Sequence, residues 1–352
     1  MRDPVIPGVR EIAVLRANGI GDFVFALPAL VALSDAYPDA RITLLGLAWH
    51  QDLLDQRPGP VDRVVVLPPV PGLTEPGPPP EPFLPRPGLA ASLLGEEPVD
   101  LAVQLHGGGR VSNPFLRTLG ARVTVGAATE GVEPLDRSVS YQPLQHEVLR
   151  LLEVVSLAGA TPLGVAPCLA VTEEDRALSS AVILGPRYAV LVPGAGDPRR
   201  RWSTDDFAAV GDHLAARGRA VAVVGDRDDR EVCTAVTQAM RHRAHVLAPG
   251  TGGLSGLAGL LADAEVVVGN DSGPLHLAAA VGTATVGVYW GPNLLKAGPL
   301  RMHRQRAVAS WTLDCPVCGR PNVNERCSHD VSFVREASRD EVLSHVDDLL
   351  SL

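Results

Sequence analysis

The chain has 352 residues, too many for one ordinary hydrophobic core and enough for two domains of roughly 150 to 180 residues each, a single large α/β barrel being the other common solution. Hydrophobic residues make up 46% and charged residues 20%, which excludes a disordered tail or a fibrous repeat. The formal net charge of −9 argues against general binding to nucleic acid or to an anionic membrane, because both need a basic footprint, so an anionic ligand must be met by a local pocket.

Short β-branched runs alternate with helical patterns along the chain, the signature of parallel sheets with covering helices. The first half predicts strands at Ile12–Arg16, Arg41–Leu45, Arg63–Leu67, Leu101–Leu105 and Val123–Gly126. Between Pro68 and Pro87 stand ten prolines in 20 residues, a density that predicts an extended insertion rather than a helix or central strand. An amphipathic helix follows at His146–Leu157, and a domain joint is expected near Pro167–Asp175. The second half predicts strands at Tyr188–Val192, Ala220–Val224, His245–Leu247, Glu265–Gly269 and Thr285–Tyr289. Ser338 and Glu341 have capping-box spacing before Val342, Leu343, Val346, Leu349 and Leu350, so a closing helix with one buried face is expected. Two βα sets imply two Rossmann-like domains, 1–170 and 171–335, with the C-terminal helix in 336–352. No stretch approaches the ~20 apolar residues of a membrane span, and the first residues lack the pattern of a secretory signal. The expected location is the cytoplasm, where the five cysteines would be reduced.

Five segments could carry chemistry. Asn18-Gly19-Ile20-Gly21-Asp22 follows the first strand and opens a helix. The third glycine of a dinucleotide fingerprint is Val24 and no strand-end acid follows at the required distance, which disfavours a nicotinamide or flavin site. Asp22 is then either a helix cap or a carboxylate at the ligand-binding end of a strand. Pro193–Trp202 combines glycines with Arg199, Arg200 and Arg201, which suits a phosphate grip and equally a solvated turn before a helix. Gly269–His276 places Pro274 at a first helical position, so free N–H groups face the loop and favour an anion. The order there is not a nucleophile elbow, and Asp271 and His276 are too near Ser272 in sequence for a relay triad. The acidic run Asp226–Glu231 follows a strand, where a carboxylate can take ribose hydroxyls or simply begin a solvated helix. Last, Cys315, Cys318, Cys327 and His329 offer four ligands within 15 residues. The first pair has zinc-knuckle spacing and the second is tight for the common pattern, leaving a structural zinc or a metal-free thiol cluster.

Together these segments resemble glycosyltransferase family 9, the ADP-heptose:lipopolysaccharide heptosyltransferase family. The resemblance runs through RANGIGDFVFALPAL, VPGAGDPRRRWSTDDF, VAVVGDRDDRE and, most specifically, VVVGNDSGPLHLAAAVGTATVGVY. It implies a GT-B architecture of two facing Rossmann-like domains, the first binding the acceptor and the second the nucleotide-sugar donor. It also implies inverting transfer that requires no metal or other cofactor, a glycan or glycolipid acceptor such as lipopolysaccharide core, and at most peripheral contact with the inner face of the membrane. On this resemblance Asp22 is the general base. Arg200 stands where the family usually has a phosphate-contacting lysine, and Gly196 where a threonine can stand. Asp229 matches the ribose-binding acid, Asp271 a sugar-contacting acid, and Ser272, Gly273 and His276 complete the diphosphate-binding turn. The alternatives left open are a nucleotide-sugar-binding protein without transfer activity and a GT-B-like sugar epimerase or hydrolase.

Overall fold

The structure is a computed structural model describing residues 4–75, 93–95, 98–180, 185–248, 252–323 and 325–352. The chain divides into two compact units, Met1–Ala170 and Val171–Leu352. The expected proline-rich insertion at 68–87 lies outside the described residues from 76 onward.

The first unit carries β1 (Glu11–Leu15), β2 (Arg41–Gly46), β3 (Arg63–Val66), β4 (Leu101–Gln104), β5 (Val123–Ala128) and β6 (Arg137–Ser140) in the order β3-β2-β1-β4-β5-β6. Its helices include α1 (Ile20–Ala36), α2 (Ala48–Leu54), α3 (Ser112–Arg117) and α4 (Glu147–Ser156). The second unit carries β7 (Tyr188–Val192), β8 (Ala220–Val224), β9 (His245–Leu247), β10 (Val266–Asn270), β11 (Thr285–Trp290) and β12 (Gln305–Ser310), ordered β12-β11-β10-β7-β8-β9. Its helices are α5 (Glu173–Ser180), α6 (Thr204–Ala215), α7 (Arg230–Ala239), α8 (Gly253–Ala262), α9 (Gly273–Ala280), α10 (Gly291–Ala297) and α11 (Arg339–Leu350). Pairing is parallel throughout both sheets.

Each unit therefore repeats the 3-2-1-4-5-6 order of a doubly wound Rossmann sheet. In such sheets the strand order reverses between the first and fourth strands, and ligands bind there beyond the carboxyl ends. That rule points to the β1/β4 ends in the first unit and the β7/β10 ends in the second.

The central strands form because their β-branched and aliphatic residues are covered on both faces, as parallel sheets require. Ala189, Leu191, Val221, Val223, Val266, Val268, Val286 and Val288 recur at period two in one buried cluster of the second unit. Ala13, Leu15, Leu45, Ala102 and Phe115 belong to the corresponding cluster of the first. The closing helix α11 is capped by Ser338, whose side chain accepts from Glu341 N, and buries Val342, Val346 and Leu349. Two edge strands, β6 and β12, have no counterpart among the expected elements. Both are polar and paired on one side only, so they lack the apolar run that marks the interior strands.

Candidate functional site

At the first switch point the chain leaves β1 and turns through Asn18 and Gly19 into α1. Gly19 is the N-cap, in extended conformation and without a side-chain cap bond. Asp22 lies in the first helical turn, so it is not the cap. A carboxylate there is favoured by the positive end of the helix dipole, and its side chain remains 46% exposed.

Behind Asp22 sits a group that the residues by themselves did not single out. Arg16 is 1% exposed and donates from Nε and Nη2 to the Asp22 carbonyl at 2.9 and 2.6 Å. Nη2 also reaches Asp22 Oδ1 at 3.2 Å. Nη1 donates to the Leu105 carbonyl at the end of β4, and both terminal nitrogens meet Glu147 Oε1 at 3.1 Å. Glu147 also pairs with Arg150, whose guanidinium lies 4.2 Å from the Tyr141 ring centroid. Burial works to raise the Glu147 pKa, but Arg16 and Arg150 outweigh it and hold the carboxyl below its ordinary value. A buried charge survives only when paired and hydrogen-bonded in this way.

Two histidines line the same region in neutral form. His106 Nδ1 accepts from Ala17 N at 3.2 Å, and burial, aided by Arg16, pulls its pKa down to about 4. His50 stacks on Trp49 with ring centroids 3.6 Å apart, and burial pulls it down to about 3.

At the second switch point, β7 runs into the loop 193–203 and β10 into α9. Here Arg200, Asp271, Ser272, Gly273 and His276 come together. Asp271 is almost fully buried. It accepts from Arg200 Nη1 at 2.9 Å and from Asn293 Nδ2 at 2.7 Å, and His276 Nε2 lies 2.9 Å from its other oxygen. Burial works to raise its pKa, but His276, Arg200 and Asn293 together hold it at about 2. Asp271 is therefore an ionised anchor that aims Arg200, with Arg200 also bonded to its carbonyl at 3.1 Å. The neighbouring Asn270 ties the two strand ends together, accepting from Trp202 N at 3.0 Å and donating to Pro193 O at 2.7 Å.

Ser272 is the N-cap of α9 but its side chain makes no cap bond, and its buried hydroxyl has no partner among the described residues. Since buried polar atoms are rarely left unpaired, a hydroxyl at a helix N-terminus in this state is suited to a ligand acceptor atom. Gly273 opens the helix and Pro274 follows within its first turn.

The three consecutive arginines have separate duties. Arg199 is forked onto Asp197, which itself caps the Pro198–Arg200 turn. Arg200 takes Asp271. Arg201 donates to the Ala195 carbonyl at 3.1 Å and reaches Asp229 at 3.4 Å. Asp229 precedes α7 without acting as a side-chain cap; burial and Asp226 raise its pKa, with Arg201 opposing. Gly194 leaves room for this carboxylate: a Cβ there would stand 2.1 Å from an Asp229 oxygen, and that side chain would have to shift. Gly196 is different: a Cβ would meet nothing within 4 Å, so the space accepts a side chain and only the backbone acts here.

Cys315, Cys318, Cys327 and His329 also come together, with one ligand atom from each lying within 4.8 Å of the others. Sequence reasoning missed Arg16, Glu147, Asp197, Asn270 and Asn293. Asp197 and Asn270 lie inside the segments Pro193–Trp202 and Gly269–His276 but were given no role there, whereas Arg16 and Asn293 act on partners 131 and 22 residues away, Glu147 and Asp271. Among the described residues no helix is long and apolar enough to cross a membrane.

Residues 93–327 match glycosyltransferase family 9 (heptosyltransferase). Lipopolysaccharide heptosyltransferase 3 of Escherichia coli is 31% identical over 154 residues, 41% of this chain and 45% of that protein. The matched stretch thus spans less than half of that relative. The crystal structure of a family 9 glycosyltransferase from Veillonella parvula superposes with a TM-score of 0.76 at 20% identity, covering 97% of each chain. E. coli ADP-heptose lipopolysaccharide heptosyltransferase II superposes with a TM-score of 0.74 at 21% identity, covering 97% of this chain and 98% of the other. These likenesses establish the GT-B class of fold.

Proposed function

The chain belongs to glycosyltransferase family 9 (heptosyltransferase), and from that premise we propose that it transfers heptose from ADP-heptose to a hydroxyl of a glycan acceptor such as lipopolysaccharide core, with inversion and without a metal in the chemical step. The observation that carries this reading is the second switch point, where Arg200 is aimed by buried Asp271 beside the unpartnered Ser272 hydroxyl and the N-terminus of α9. This is a fixed set of donors suited to a diphosphate.

In the proposed reaction the Asp22 carboxylate takes the proton of the acceptor hydroxyl as its oxygen attacks the anomeric carbon. The bond from that carbon to the diphosphate oxygen breaks, and the electron pair leaves with the nucleoside diphosphate. Arg200 and the α9 N-terminus meet the negative charge that develops there, and such preorganised donors are worth most where charge grows. Asp229 would take the ribose hydroxyls, with Gly194 giving the backbone room to approach. Arg200 in place of the family's lysine keeps the charge but presents a planar fork. Work on a membrane-linked acceptor would place the protein at the cytoplasmic face of the membrane.

The reading is tested by a thermal-shift screen of nucleoside diphosphates followed by transfer assays with the Asp22→Asn variant. ADP should give the largest shift. The variant should keep donor affinity within a few-fold while turnover falls by ~10²–10⁴-fold, the usual worth of a positioned general base. Unchanged turnover would remove Asp22 as the base, and donor binding without transfer by the native protein would point to a binding function.

A further inference from the structure

Residues 311–338 form no helix or strand among the described residues, although a loop of this length inside a compact domain is uncommon. What orders it is local. Cys315 starts a tight turn in which Gly319 N donates to the Cys315 carbonyl at 2.8 Å, Val317 N points at Cys315 Sγ at 3.5 Å, and Gly319 takes the left-handed conformation with φ +69°. The turn is closed by Cys315 N donating to Arg320 O at 2.8 Å and by an antiparallel bridge between Asp314 and Pro321. Cys327 and His329 return to the same point, His329 Nδ1 lying 3.7 Å from Cys315 Sγ. Tetrahedral zinc with Zn–S of about 2.3 Å and Zn–N of about 2.0 Å separates its ligand atoms by roughly 3.5–3.8 Å. The Cys315–His329 distance thus matches that geometry, with all four ligand atoms within 4.8 Å of one another, and a backbone N–H directed at sulfur favours the thiolate that a metal needs.

The same segment holds the donor loop from outside. Phe333 N donates to the Arg199 carbonyl at 2.8 Å and Ser332 Oγ to the Arg201 carbonyl at 2.7 Å, so the backbone is gripped on both sides of Arg200. Asn322 is the link to the cysteines. Its Oδ1 accepts from Cys327 N at 3.1 Å and from Arg199 Nη1 at 3.3 Å, and its Nδ2 donates to Arg320 O at 2.8 Å.

We propose that Cys315, Cys318, Cys327 and His329 bind one zinc ion and that this zinc is a staple for the Pro198–Arg201 turn, keeping Arg200 in position for the donor phosphates. The ion takes no part in bond making; it closes the loop whose residues 322, 332 and 333 hold the turn. The positioning of Arg200 for phosphate rests on the function proposed above, whereas the zinc and the ordering of the turn do not.

The test uses the full chain, measuring metal content by mass spectrometry and backbone hydrogen exchange at residues 197–202. The native protein should carry about one zinc per chain and protect the turn. Cys318→Ser and Cys327→Ser should lose the zinc and exchange there about tenfold faster or more, while β1 and β4 stay unchanged. Asn322→Ala, which keeps every ligand, should retain the zinc yet lose the protection. Cys168→Ser, an exposed cysteine outside the cluster, should change neither. ADP affinity should fall about tenfold in the zinc-free variants. Native protein with well under one equivalent of zinc after metal supplementation would overturn the site, as would stoichiometric iron in its place. Zinc loss with unaltered exchange at 197–202 would overturn the staple. If the native protein bound no nucleoside diphosphate at all, the donor reading would fail while zinc content and exchange still decided the staple.

Discussion

At the scale of single residues, the most consequential group is a buried cation. Arg16 neutralises Glu147 and bonds both the carbonyl and the carboxylate of Asp22. Arg16→Met would leave Glu147, itself only 13% exposed, with Arg150 alone. Removing one partner of a buried ion pair generally costs about 3–5 kcal/mol. Denaturant unfolding of the first unit should show a loss in that range, and Arg16→Met/Glu147→Gln/Arg150→Met, which removes every charge of the cluster, should recover part of it, whereas Arg16→Met/Glu147→Gln should not, because it strands the buried Arg150 instead. Equal losses in the single and triple variants would mean that packing, and not charge, is at stake. His50 gives a pH prediction. Its folded pKa is depressed to about 3 from the ordinary value near 6.5, so below about 6.5 the unfolded chain binds a proton that the folded one does not. Stability should therefore fall as pH drops from about 6.5 toward 3, at up to about 1.4 kcal/mol per pH unit from this group. His106, depressed to about 4, acts in the same direction down to that pH. His50→Gln should flatten the dependence of the first unit's melting temperature on pH across this window, and an unchanged slope would show that other groups carry it.

At the scale of elements, close helix packing depends on glycine in the second unit. A Cβ on Gly259 in α8 would stand 2.1 Å from the Asp175 carbonyl oxygen in α5. That obstacle is backbone, which no rotamer change removes. Gly259→Ala should destabilise the second unit by roughly 1–3 kcal/mol, the usual cost of overpacking, despite alanine's better helix propensity. Gly196→Ala, at a position with open space, serves as the contrast and should be near neutral by thermal melting. Helix α8 also shows what sequence can convey about such elements: its glycines are visible, but the partner whose backbone demands them is not. Interior strands were legible to within one or two residues at their ends, because burial on both faces demands unbroken Val, Ile, Leu and Ala. β6 and β12 were not, since RSVS and QRAVAS lack an unbroken apolar run; β3 and β9, also at sheet edges, carry RVVV and HVL and were legible. Of the candidate site, Gly-Asn-Asp-Ser-Gly-Pro was legible because glycine and proline punctuate a strand-to-helix turn. The pairing of Arg200 with Asp271 spans 71 residues, and the contact of Arg16 with Glu147 spans 131. No local pattern records either one.

At the scale of the whole chain, two sheets of the same strand order carry different chemistry at the same topological point. In the first unit the switch point is acidic and half-open at Asp22, with the buried Arg16 turned inward onto Glu147 and backbone carbonyls. In the second, Arg200 is 26% exposed and the α9 N-terminus adds positive potential from Ser272 onward. A chain of net charge −9 thus presents a partly exposed guanidinium at the second of its two equivalent switch points and a half-exposed carboxylate at the first, the asymmetry on which the proposed donor site rests. The asymmetry predicts where a nucleoside diphosphate is felt. Hydrogen exchange with ADP should slow most at residues 194–203, 225–231 and 270–276, and much less at 16–22, because ordering by a ligand is strongest where its own contacts form. Affinity should also weaken as salt rises, since a partly exposed Arg200 is screened. Protection concentrated at 16–22 would instead assign the diphosphate to the first switch point, reversing the roles of the two units and removing Asp22 as a base for the acceptor.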